Sequence, residues 1–211
     1  MLASRSSEGT LMLEILAGTG LAVAAGLNAY IPLLVLGLAG RFLDFIVLPS
    51  GWTWLENEWV LVILGVLLVI EIVADKVPVV DSVNDWIQTL VRPAAGGIAF
   101  GTGSATQTAV ISDPASFFSS NAWVPVAVGV GLALATHLVK MAARPALNAV
   151  TAGAAAPIVS AAEDVSSVAL SLFALLIPVL VVIVIGGLIA AAVTLFRRAR
   201  RKREPQVVSG S

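Results

Sequence analysis

At 211 residues the chain is 58% apolar and only 12% charged, with a mean hydropathy of +0.99, one histidine and no cysteine. A soluble domain carries roughly 25% charged residues, so this composition leaves too little charge to clothe a water-facing surface and argues against a soluble enzyme or binding module. The lack of cysteine removes disulfides, thiolate metal sites, iron–sulfur clusters and cysteine nucleophiles, and a chain of this length holds about five to seven membrane spans.

The formal charge of −1 hides an asymmetry, because Arg197, Arg198, Arg200, Arg201, Lys202 and Arg203 hold six of the twelve basic residues. Residues 1–196 keep six bases against twelve acids, a net of −6. A basic run directly after a long apolar one is placed in the cytoplasm by the positive-inside rule, so residues 197–211 read as a cytoplasmic tail. A topological stop signal accounts for this tail without nucleic acid, which is not expected as a partner.

In chain order, a short tip of residues 1–14 precedes the first uncharged run, Ile15 to Gly40, whose 26 residues exceed the roughly 20 needed to cross a bilayer. It reads as an anchor and not a cleaved signal, since Glu8 and Glu14 spoil a basic leader. The second span is Trp59 to Ala74, apolar except for Glu71, and the third is Pro93 to Ser112, small and unusually polar. The fourth begins near Val124, after interfacial Phe117, Phe118 and Trp123. The last uncharged run, Val165 to Phe196, has 32 residues and must tilt, kink at Pro178 or protrude.

Pro78 to Val91 and Pro145 to Ala162 fit neither loop nor span and read as short re-entrant or broken helices. The expected fold is therefore all-α, a polytopic transmembrane helix bundle of five full spans plus these two short helices. Seven crossings result if both cross; that count sets Arg92, Lys140 and Arg144 inside, with Asp113, Glu163 and Asp164 outside. An offset of 67 positions aligns Pro78 with Pro145 and Asp81 with Asn148, suggesting an internal repeat with units 15–92 and 93–162 before a final long helix, 165–196.

The remaining charges cluster. Glu71 and Asp75 are four apart and share a helix face, with Lys76 beside them and Asp81 and Asp85 spaced alike just beyond. His137, Lys140 and Arg144 form a basic stripe on the fourth span. Because a charge near the bilayer centre costs at least about 2.5–3.5 kcal/mol, the two stripes are expected to face each other as buried ion pairs, with Arg92 and Asn148 as further partners. In the first span Asn28, Tyr30 and Pro32 interrupt the apolar run, and the proline frees backbone carbonyls that a site can use. Small residues at four-residue spacing, Gly18-Ala22-Gly26, Gly97-Gly101-Ala105-Ala109 and Gly129-Ala133, allow close helix approach.

Three readings of the polar centre stand. It binds or passes a small ion or polar solute around a polar cavity, with Glu71 or Asp75 exchanging a proton or cation. It only locks helix packing in a structural or assembly protein, which is free to self-associate as a homo-oligomer. Or Asp75, Asp81 and Asp85 hold a divalent metal in a lipid-active enzyme. Enzyme motifs argue against the last: Gly101-Thr102-Gly103-Ser104 lacks the lysine of a phosphate loop, His137 has no nucleophile motif beside it, and the acid spacing fails the known intramembrane phosphotransferase patterns. No resident metal or cofactor is expected, and the partner common to these readings is the lipid bilayer of the cell inner membrane.

Gly26-Leu27-Asn28-Ala29-Tyr30-Ile31-Pro32, Ala74-Asp75-Lys76-Val77-Pro78, Val80-Asp81, Arg92-Pro93 with Ala95-Gly96, and the later Arg144, Asn148, Pro157 and Glu163-Asp164 resemble the bacterial membrane family catalogued as domain of unknown function 4126. The resemblance covers about residues 15–185. It implies a membrane protein of several helices with its polar positions on Asn28, Asp75, Lys76, Asp81 and Arg92, and carries no activity.

Overall fold

The computed structural model describes residues 2–76, 78–103, 121–151, 154 and 156–201. They form seven α-helices and no strand: α1 Leu2–Leu27, α2 Tyr30–Phe42, α3 Glu58–Ala74, α4 Pro78–Gly103, α5 Trp123–Thr151, α6 Ala156–Leu176 and α7 Val179–Arg201. A 3-10 turn, Thr53–Glu56, precedes α3.

The first uncharged run is not one span. Pro32 has no N–H, so a continuous helix would leave the Asn28 carbonyl without its partner, and the chain breaks at Asn28 and Ala29 instead. The Asn28 N–H closes α1 on the Ala24 carbonyl at 2.9 Å. Its side-chain oxygen then accepts from the N–H groups of Tyr30 at 3.1 Å and Ile31 at 3.2 Å, capping α2. Pro32 thereby falls in the first turn of α2, where no N–H is needed. Asn57 caps α3 in the same way, accepting from Trp59 N–H at 2.9 Å.

The two expected short helices are also corrected. Pro78 to Val91 is the first half of α4, which continues through Pro93 to Gly103. Pro145 lies inside α5, which runs on to Thr151, and Ala156 opens α6, so Glu163 and Asp164 are helical and not a boundary. A proline removes one backbone hydrogen bond at a cost of about 3 kcal/mol, which a helix packed on both sides of it absorbs. The final run is two helices, because at Ile177 and Pro178 the chain ends α6 and starts α7. The repeat division at residues 92 and 93 falls within α4, and Pro78 opens a helix whereas Pro145 sits inside one.

Among the described residues two helices, Trp123–Pro145 and Ala156–Leu176, are long and apolar enough to cross a membrane, short of the five full spans expected. Leu11–Leu27, Tyr30–Phe42 and Val179–Thr194 are shorter apolar helices. Residues 104–120, with the end of the third expected span, Phe117, Phe118 and Asp113, lie outside the described residues, as does the tail from 202.

α1 is the central element, with Leu21, Ala22, Ala24 and Ala25 fully enclosed. Gly18 lies against Phe100 of α4, Gly20 against Ala174 of α6 and Gly26 against Ala133 and Thr136 of α5. α4 and α1 both approach α5 backbone to backbone: a Cβ on Gly96 of α4 would sit 2.8 Å from the Gly129 carbonyl oxygen, and one on Gly26 of α1 2.6 Å from that of Ala133. Small residues thus permit the close contacts their spacing suggested. The result is a single level at which the last turn of α1, the first of α2, the end of α3 and parts of α4, α5 and α6 meet.

Candidate functional site

That level is a layer of charge. Arg92 is fully buried on α4, and its Nη2 donates to Glu71 Oε1 on α3 at 2.8 Å and lies 3.8 Å from Asp75 Oδ2. Asp75 Oδ2 also receives Lys140 Nζ at 3.1 Å and Arg144 Nη2 at 3.2 Å, both from α5. Asp75 Oδ1 accepts from Asn84 Nδ2 at 2.9 Å. Glu163 of α6 completes the set, pairing through Oε2 with Lys140 at 3.0 Å and Arg144 at 2.7 Å. The acidic and basic stripes therefore meet in the interior, where each supplies the partner that a buried charge requires.

The break after α1 contributes directly. A helix C-terminus presents unpaired carbonyls and a partial negative charge. Here Gly26 O accepts from Arg92 Nη1 at 3.2 Å and Leu27 O from Lys140 Nζ at 3.3 Å. Asn28 does double duty, since its Nδ2 donates to Asp164 Oδ1 at 3.0 Å while its oxygen caps α2.

His137, fully buried, lies between the cations and α4. Its Nδ1 is 3.4 Å from Arg92 Nη1, while Nε2 is 3.2 Å from Asp85 O and 3.1 Å from Thr89 Oγ1, whose own proton goes to Asp85 O at 2.8 Å. Arg92 has no lone pair to offer, so Nδ1 is the acceptor and Nε2 carries the proton: the network fits a neutral imidazole.

Of the residues expected at the site, the structure gathers Asn28, Glu71, Asp75, Arg92, His137, Lys140 and Arg144. Asp85 is buried one turn from Thr89 on α4, and half-buried Tyr30 reaches the Gln88 side chain with its hydroxyl. Lys76 is not part of the layer; it is exposed, and its Nζ turns back to the Ile72 carbonyl at 3.0 Å. Asp81 and Asn148 belong to α4 and α5, but their side chains lie outside the described residues. Glu163, set outside by the seven-crossing count, pairs directly with Lys140 and Arg144, set inside by it.

Sequence reasoning missed Asn84, Gln88, Thr89, Glu163, Asp164 and Ser167, whose Oγ donates to Ala24 O at 3.0 Å. A signal existed on α6, where Ser160, Asp164, Ser167 and Ser171 recur at helical spacing along one face. The adjacent charges Glu163 and Asp164 obscure it, because a charged pair beside a long apolar run resembles a span boundary.

The outer surface at this level is the reverse of a soluble protein's. Ile70, Val73, Ile87, Leu90, Leu138 and Val165, each within two residues of a layer charge or of buried Gln88, are 50–80% exposed.

Fold and site together define an all-helical protein with a charged interior layer and an apolar rim. The chain belongs to the family described as Domain of unknown function (DUF4126), whose model matches residues 15–198 and so takes in every residue of the layer. No curated protein and no solved structure gives a significant match.

Proposed function

We propose that this is a multi-pass protein of the cell membrane, its basic C-terminus in the cytoplasm, whose charge layer binds or passes a small ion or polar solute. The apolar rim around buried charge supports the membrane reading, because lipid and not water is the solvent that matches it. The observation that carries the site is the Glu71 carboxylate, which is buried among the ion pairs, gives Oε1 to Arg92 and keeps Oε2 without a hydrogen-bond partner. A buried carboxylate oxygen with no donor is a place where positive charge can be taken up.

The test is flux into proteoliposomes containing the full chain. Wild type is expected to carry protons or a small cation, and Glu71→Gln to lower that flux at least tenfold while still reconstituting; equal flux in both would remove the role. A second reading, that the charges only lock packing, is favoured by Asp75, whose carboxylate ties α3 to α4 and α5 at once. It predicts no flux in wild type either. The metal-enzyme alternative loses its first ligand to the same observation, since both Asp75 oxygens are engaged by Asn84, Lys140 and Arg144.

A further inference from the structure

Two buried side-chain oxygens at the contact of α3 with α4 have no hydrogen-bond partner. Glu71 is 2% exposed and gives only Oε1 to Arg92; its Oε2 is buried without a hydrogen-bond partner. Gln88, also 2% exposed, has its side-chain oxygen Oε1 in the same condition. The two residues face each other by register. The Asn84 to Asp75 hydrogen bond pairs the end of α3 with the first half of α4, and the two helices run in opposite directions. One turn along each therefore sets Gln88 across from Glu71. The Tyr30 side chain, from the first turn of α2, lies beside the same Gln88 amide.

We propose that Glu71 takes up and releases one proton on Oε2, and that the Gln88 amide turns over with it. This rests on reading the layer as an ion site and names the ion. Two arrangements give Glu71 Oε2 and Gln88 Oε1 a partner each. With the proton bound, Glu71 Oε2–H donates to Gln88 Oε1, and the Gln88 amide N–H donates to the Tyr30 oxygen. With the proton gone, the amide rotates by half a turn: its N–H donates to Glu71 Oε2, and its oxygen accepts from the Tyr30 hydroxyl. Only one O–H bond forms or breaks, and Arg92 stays on Oε1 throughout.

The surroundings select a proton over a metal cation. Arg92 occupies Oε1 of the same carboxylate, and its Nε–H, buried without an acceptor, offers a donor where a metal needs a ligand. His137 of α5 faces Arg92 on its other nitrogen, while Asp75 is engaged by Lys140 and Arg144, and these cations also hold Glu163. α1 supplies only the carbonyls of Gly26 and Leu27, and Asp164 of α6 is on Asn28. A sodium or calcium ion requires several free oxygens at once; a proton requires one oxygen to sit on and one to point at.

The experiment is pH-difference infrared spectroscopy on the full chain in lipid nanodiscs, reading the carboxylic acid C=O stretch. A band is expected that vanishes in Glu71→Gln and changes frequency in Gln88→Met, which removes the acceptor but leaves the Arg92 pair intact. A pH-difference spectrum identical in wild type and both variants would overturn the proposal. Where Glu71→Gln does not assemble, Gln88→Met decides alone: an unmoved carboxylic band means another acid titrates. Proteoliposome flux separates this from the wider reading. The band without any flux upholds the proton site and removes passage; flux of another cation without the band removes the proton assignment and leaves the ion-binding reading standing.

Discussion

Asp75 is the residue on which the layer turns, because a single carboxylate oxygen lies within 4 Å of Arg92, Lys140 and Arg144. Asp75→Asn keeps the shape and removes the charge, leaving Lys140 and Arg144 to share Glu163. Removing one partner of a buried pair costs about 3–5 kcal/mol, so a clear fall in Tm in detergent is expected; an unchanged Tm would mean that the pairs contribute nothing to assembly. Asn28 is a smaller case with two parts. Asn28→Ser keeps an oxygen for the α2 cap but loses the link to Asp164, and Asn28→Ala loses both, for about 0.5–2 kcal/mol from the cap alone. Asn28→Asp retains the cap yet sets a second carboxylate against Asp164, and is expected to fall below Asn28→Ser in the same thermal assay. At this scale the sequence was informative about charge. A charge with no water to face must find a partner, and stripes of opposite sign on two apolar helices leave few choices. Asn84, Gln88 and Thr89 stayed illegible because a neutral amide or hydroxyl on an amphipathic helix looks the same whether it faces solvent or a buried carboxylate.

Helix boundaries were the least legible feature, and for one reason. Five prolines follow or interrupt apolar runs, but Pro32 and Pro178 sit at breaks, Pro78 opens a helix, and Pro93 and Pro145 are absorbed inside one. Proline removes a donor and crowds the preceding turn; whether the helix survives depends on what packs beside it. Small-residue patterns were a better guide, since a glycine at a crossing is a statement about distance. Gly129→Val is expected to force α4 and α5 apart where Gly96 and Gly129 touch, lowering Tm and loosening the Arg92 to His137 contact two turns away. Gly131→Val is the control on the same helix: a Cβ there meets nothing within 4 Å, and its Tm should match wild type.

At the scale of the molecule, α3 and α4 join at one face of the bundle and α5 and α6 join at the same face, while the turn before α3 and the start of α5 lie at the other. Trp52 against Gly101 marks that second face. The absence of cysteine makes the arrangement directly testable, since any introduced thiol is the only one. In intact membranes, exposed Asn57→Cys and Asn121→Cys are expected to react with an impermeant thiol reagent from one side, and Lys76→Cys and Ala154→Cys from the other. Labelling of all four from a single side would overturn the multi-pass reading. Arg198→Cys should react only from the cytoplasm if the basic tail obeys the charge rule.

By itself the sequence determined the shortage of charge for a water-facing surface, the helical class and the rule that its few charges must meet. Those follow from composition and from the energy of charge in an apolar medium, which no arrangement of the helices changes. The tertiary structure alone decided where the chain breaks, that α6 brings Glu163 and Asp164 into the layer, and that Gln88 stands across from Glu71. Each of those depends on which helix faces are neighbours and at what register, and packing, not local spacing, sets both.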